Sequence, residues 1–165
     1  MQSALRRFIV AVTCLGLLGA GATLAVATTD GGSTGNAAET QYGQGQGCTP
    51  GFWKTNTGVE IWGTEYSPED SFDEVFGVTL FGPSVTLLDA AKLGGGGFKA
   101  LARHAVAALL NSSHGDVSYG LSTDQVIEMV QQAVKSGDPE LNKNAFEALN
   151  ELGCGIDAHG NPVGS

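Results

Sequence analysis

Trp53 and Trp62, with Lys54 and Glu60 between them, form the stretch of this sequence best equipped to recognise a sugar or a cation. Indoles stack on sugar faces and attract cations. The competing reading, which we adopt, has both aromatics covering one end of a helical bundle, with Lys54 snorkelling or paired to an acid. His104 lies one residue off an apolar stripe and reads as a satisfied, half-buried core histidine. His114-Gly115-Asp116 offers two metal donors, but a zinc site takes three or four and no third partner has the right spacing. His159 falls in the C-terminal tail. No metal or cofactor is therefore expected. Glu65, Glu69, Asp70, Asp73 and Glu74 present oxygens of the kind calcium takes. No EF-hand pattern accompanies them, and acids at a helix start are accounted for by the helix dipole. Carboxylates near Trp53 and Trp62 would suit a hydrolase. There is no G-x-S-x-G elbow and no Cys–His nucleophile arrangement, so no residue is assigned as catalytic. Asn111-Ser112-Ser113 is a glycosylation sequon by pattern.

The cysteines say where such chemistry would take place. Arg6 and Arg7 precede an uncharged apolar run from Phe8 to about Ala27, which ends in Ala25-Val26-Ala27. A basic start, an apolar middle and a small-residue exit predict a secretory signal peptide over residues 1–27. The alternative is an uncleaved anchor, since about 20 apolar residues are long enough to span. A twin-arginine signal and lipidation of Cys14 fit less well. Cleavage removes Cys14 and leaves Cys48 and Cys154, which in an exported protein most simply pair with each other. Intermolecular pairing and catalytic thiols are the other readings. No C-x-x-C motif is present.

Charge narrows the partners. Removing Arg6 and Arg7 from the eight basic residues leaves six against 17 acidic ones, a net charge of about −11. Such a surface repels nucleic acid and anionic membranes. Membrane contact is expected only through the first segment, if it is kept.

Elements positioning these residues follow from periodicity and caps. Residues 28–46 carry Gly, Ser, Thr, Asn and Gln and almost nothing apolar, which predicts a flexible stalk. A helix is expected from a Ser67-Pro68-Glu69-Asp70 start to about Phe76, and another over Thr86–Leu93, before four glycines at 94–97. Phe98–Asn111 is the clearest core helix, with apolar residues at three- and four-residue spacing. Ser122-Thr123-Asp124-Gln125 opens a helix that ends near Gly137. Asp138-Pro139-Glu140 opens the last one, with Leu141, Ala145, Phe146, Leu149 and Leu152 read as inward and Gly153 as its C-terminal cap. No stretch alternates long enough to demand a sheet. The expected fold is all-α: four to five short helices over residues 47–155, an irregular aromatic N-terminal segment, and a Cys48–Cys154 bridge closing the domain end to end. Residues 156–165 read as a tail.

Several motifs keep a recognisable order: Cys48-Thr49-Pro50-Gly51-Phe52-Trp53-Lys54, Leu87-Leu88, the Gly94–Gly97 run, Ala105 to His114, Tyr119, and Leu149-Asn150-Glu151-Leu152-Gly153-Cys154. Together they resemble a family of secreted prokaryotic proteins that open on Cys-Thr-Pro-Gly-Tyr/Phe-Trp-Lys and close on Gly-Cys. The resemblance spans roughly residues 47–155. It implies a disulfide-closed extracellular helical domain, often beside other surface modules, and it supplies no catalytic residues. Where the family often continues Asn-His after the lysine, this chain has Thr55-Asn56, so a ligand role for histidine there is lost.

The sequence thus predicts a secreted or cell-surface structural or interaction module without catalysis. Its expected partners are itself, other surface proteins or glycans, and in one form it builds or decorates an extracellular appendage. Two rivals stand beside it: a secreted hydrolase using acids near Trp53 and Trp62, and a small glycan-binding module. The contact residues would be Trp53, Lys54 and Trp62, with His104, His114 and Asp116 as a polar site.

Overall fold

The computed structural model describes residues 45–163. The expected export signal and nearly all of the expected stalk lie outside the described residues. Among those described there are seven helices and no strand: α1 (Pro50–Thr55), α2 (Val59–Trp62), α3 (Phe72–Phe76), α4 (Leu87–Lys92), α5 (Phe98–Ser113), α6 (Thr123–Ser136) and α7 (Glu140–Asn150). The all-α fold and the disulfide agree with the sequence reading. None of these helices is long and apolar enough to cross a membrane.

Helix α5 is the hub, packed against α1, α4, α6 and α7. Its residues from Ala100 to Asn111 are buried apart from Arg103. Five of them are alanines, which let neighbours approach on several sides. A helix apolar nearly all round belongs in the middle of a domain. Arg103 reaches sideways and donates to the Leu93 carbonyl (2.6 Å), closing the end of α4.

The caps follow the sequence at α4 and α6. Thr86 with Asp89, and Ser122 with Gln125, form complete capping boxes, and α6 stops at Gly137 with φ 74°. Elsewhere the structure corrects the expectation. The aromatic N-terminal segment is not irregular, because Thr49 Oγ1 accepts from the Phe52 N–H and Pro50 stands in the first turn, which starts α1. With α2, this gives seven helices instead of four or five. Helix α3 begins at Phe72, with Ser71 as its cap, and not at Ser67. The Asp70 carbonyl accepts from Leu87 N–H (2.8 Å) and Phe72 N–H donates to Val85 O (2.9 Å). This antiparallel bridge, Ser71 to Thr86, takes backbone groups that an earlier helix start would need.

Two leucines read as inward face out: Leu141 is 77% exposed and Leu152 39%. The inner face of α7 is carried instead by Phe146, Leu149 and Asn150. Gly153 does not cap α7, whose C-cap is Glu151. Its carbonyl accepts from the Gly47 N–H (2.9 Å) in an antiparallel bridge. A Cβ at Gly47 would strike the Leu149 carbonyl oxygen, so only glycine permits this approach. Beside the bridge, Cys48 and Cys154 are disulfide-bonded across 106 residues, with Cα atoms 4.2 Å apart.

The packed chain also extends past both expected boundaries. Gln46 N–H donates to Ser118 O (2.8 Å), and its side chain accepts from Ser118 N–H (3.1 Å). Ile156 is buried, and Asp157 N–H donates to Asn161 O (2.8 Å) in a turn bridged from Ile156 to Pro162.

Candidate functional site

The residues singled out for recognition converge, but inward. Trp53 is fully buried and Trp62 is 2% exposed. Neither indole offers a stacking platform: both are part of the interior, as the adopted reading expects, and the rival contact site at Trp53 and Trp62 is not formed. Their polar ends are consumed internally. Trp62 Nε1 donates to the Trp53 carbonyl (3.1 Å), and Trp53 Nε1 donates to Asn111 Oδ1 (3.1 Å).

Asn111 is the junction of this network and is fully buried. Its Oδ1 also accepts from the Cys48 N–H (2.8 Å). Its Nδ2 donates to the Cys48 carbonyl (2.9 Å) and to Asn150 Oδ1 (2.9 Å). Asn150, equally buried, accepts from the Tyr119 hydroxyl (2.9 Å) and donates to the His104 carbonyl (2.9 Å). Burial pushes the Tyr119 phenol far above its ordinary value, so it stays a donor. Each buried polar group here is matched, and an orphaned one would cost about 1–3 kcal/mol. The chain of bonds runs from α2 through α1 and the disulfide to α5 and α7. Asn111 sits inside it, so the sequon is closed to modification in the folded chain.

Lys54 lies exposed on α1 and joins none of the ion pairs among the described residues. His114, Asp116 and His104 do not form one polar site. His114 Nδ1 accepts from the Asp116 N–H (3.2 Å), and its ring lies 6.1 Å from that of Trp53. His104 sits at the α5–α7 contact. Its Nδ1 has no partner, and its Nε2 is 3.9 Å from Glu147 Oε1. Neither ring nitrogen makes a hydrogen bond, since 3.9 Å is too long for one, against the expectation of a satisfied histidine. Burial pushes it below the ordinary histidine value, against the pull of Glu147. Lys143 donates to Glu147 Oε2 (3.0 Å) and holds that carboxyl below its usual range.

Nor is the acidic cluster one site. The Asp73 carboxylate accepts from the N–H groups of Leu80 (2.9 Å), Phe81 (3.1 Å) and Gly82 (2.8 Å), pinning the loop after α3. Asp70 accepts from Ser67 N–H (2.7 Å) and closes a turn. No group of three metal donors forms among the described residues.

Three surface features stand out, one of them an open depression of about 490 Å³ bordered by Glu69, Asp70, Ser71, Glu74, Val75 and Pro83. An open depression of about 510 Å³ is bordered by Thr57, Val59, Glu65, Tyr66 and Asp70, with Trp62 at its base. A smaller apolar groove of about 230 Å³ runs along α7 between Ala145, Ala148, Leu149 and Leu152. Asn111, Asn150 and Tyr119 are the key residues that sequence reasoning passed over. The available signal was phase: Asn111 follows Ala107, and Asn150 follows Phe146, by four residues on faces that are otherwise apolar. Compared with described protein families, curated proteins and solved structures, the chain matches none.

Proposed function

We propose that this chain is a non-catalytic structural or interaction module that works outside the cytoplasm as part of a surface assembly. One observation carries the reading: the most distinctive residues, Cys48, Trp53, Trp62, Asn111 and Asn150, bond to one another in the interior. They are used to hold a scaffold and not to meet a substrate. A disulfide is compatible with an extracytoplasmic location. The basic-then-apolar start and the resemblance to secreted Cys-Thr-Pro-Gly proteins point the same way. An apolar face on α7 gives such a scaffold something to present.

Fractionation of producing cells tests this, combined with trapping of free thiols before lysis. The module reading expects the chain in the surface or medium fraction, with Cys48 and Cys154 oxidised. A chain held in the cytosol with both thiols free would end it.

A further inference from the structure

Four polar or charged side chains are buried among the described residues: Asp73, His104, Asn111 and Asn150. Three of them are hydrogen-bonded, and the His104 imidazole is not. Charge reaches this ring from α7, through Glu147, Lys143 and the C-cap residue Glu151, and from Arg103 on α5 itself. The Glu147 carboxylate stands between two nitrogens. Its Oε2 takes the Lys143 ammonium (3.0 Å), while its Oε1 is 3.9 Å from His104 Nε2. A neutral imidazole carries one N–H, and a carboxylate can only accept, so Nε2 is the nitrogen that carries it. Nδ1 is then a bare lone pair with nothing bonded to it. A second proton must go onto Nδ1, where it makes a buried N–H without an acceptor.

We propose that His104 is an acid-operated latch: its protonation loosens α7 from α5, and Lys143 sets the strength of the response by competing for Glu147. The side that yields is α7. Helix α5 is packed against α1, α4, α6 and α7, whereas α7 packs chiefly on α5 and α6. Loosening lets Nδ1 reach water and uncovers Phe146 and Leu149 on the inner face of α7. Glu147 works against it. A charged ring draws Oε1 in by about 1 Å, to the roughly 2.8 Å of a charge-assisted bond. Lys143 holds the other oxygen and adds like charge, so it weakens that rescue. The open form takes the proton at the ordinary histidine value of about 6.5, the closed form only below it. Opening of α7 therefore grows by up to about tenfold per pH unit below 6.5, and levels off below the lowered folded value. The latch acts whatever the module meets and wherever the chain resides.

Hydrogen exchange of the whole chain between about pH 7.5 and 5, corrected for the intrinsic rate, reads this amide by amide. Protection in α7 should fall over that range, while α3 and α4 keep theirs. Lys143→Met should damp the fall, because Glu147 turns fully to the ring. Glu147→Gln should deepen it, because the ring loses its rescue. Both side chains reach solvent, so both variants should fold. In an NMR titration of the His104 ring, the midpoint should be highest in Lys143→Met and lowest in Glu147→Gln, with the native chain between. His104→Gln should leave α7 indifferent to pH, which separates His104 from His114 and His159; if that variant does not fold, the two α7 variants decide alone. Unchanged α7 protection on acidification overturns the latch. So does an equal loss in every helix, which would mean that acid unfolds the domain as a whole. A response that survives His104→Gln, or one shifted the same way by both α7 variants, overturns it as well.

Discussion

Replacing Asn111 with leucine should be among the most damaging single changes in the domain. Leucine has the branching of asparagine but bulkier methyl groups, so no cavity opens and some overpacking is added. The loss lies in the bonds. Asn111 accepts from Cys48 N–H and Trp53 Nε1, and donates to Cys48 O and Asn150 Oδ1. Without it, three buried groups lose their partner: the amide and carbonyl of Cys48, and the indole N–H of Trp53. Asn150 Oδ1 keeps the Tyr119 hydroxyl. At about 1–3 kcal/mol for each orphan, partly offset by relaxation, the cost comes to about 3–5 kcal/mol. Domains hold together by only about 5–15 kcal/mol, so this is a large fraction. For a domain of this size it lowers Tm by about 10–20 °C. Thermal and denaturant unfolding followed by indole emission reads the effect directly, since both tryptophans border the network. Repeating the measurement on reduced protein adds a second arm. Cutting the disulfide lets the Cys48 segment move and its amide reach water, so the cost of Asn111→Leu should shrink by about 1 kcal/mol or more. A Tm loss under about 3 °C, or equal losses in oxidised and reduced protein, would show that Asn111 does not hold Cys48 in place.

Reduction alone should lower stability by about 4–5 kcal/mol in the chain-entropy treatment of a loop of 106 residues, and an unchanged melting midpoint on adding reductant would contradict this. Asp73→Ala strands the amides of Leu80, Phe81 and Gly82, and should cost about 2–3 kcal/mol with faster hydrogen exchange confined to that loop. The folded state resists protonating His104, so the unfolded chain binds more protons on the acid side. Stability should be full above about pH 6.5, fall as pH drops through that value, and level off below the lowered folded pKa. His104→Gln should flatten this slope between pH 7 and 5, and a slope left intact would assign it to another group. Any loss at still lower pH would come from carboxylates such as Glu147, whose folded pKa is held down by Lys143.

The long elements were legible because their signals are local. Ser122 and Gln125 announce α6, and Gly137 ends it. The short ones were not. A Thr-Pro-Gly stretch reads as a loop until Thr49 is seen to cap the turn that Pro50 opens. The last helical stretch misleads because it carries apolar residues on two sides, Phe146 and Leu149 inward and Leu141 outward, while Leu152 falls beyond the end of α7. Spacing finds stripes but does not say which of them faces the core. The buried network is legible only in part for a related reason. Trp53 and Trp62 do cover part of the core, yet their role depends on Asn111, 58 residues away from Trp53. No local pattern connects them. A polar residue in phase with an apolar face was the one sign available, and by itself it does not name its partners.

The closure of the domain at Cys48 and Cys154 has a mechanical consequence. The segments entering and leaving lie side by side, joined by the Gly47–Gly153 hydrogen bond and, beside it, by a covalent bond. Tension applied to the chain before Cys48 and after Cys154 crosses from one to the other through sulfur. The residues between, including every helix from α1 to α7, hang outside the line of force. Such a domain can be pulled, as by flow or by a tethered neighbour, without its helices bearing the load; only the outer contacts of Gln46 and Ile156 feel it.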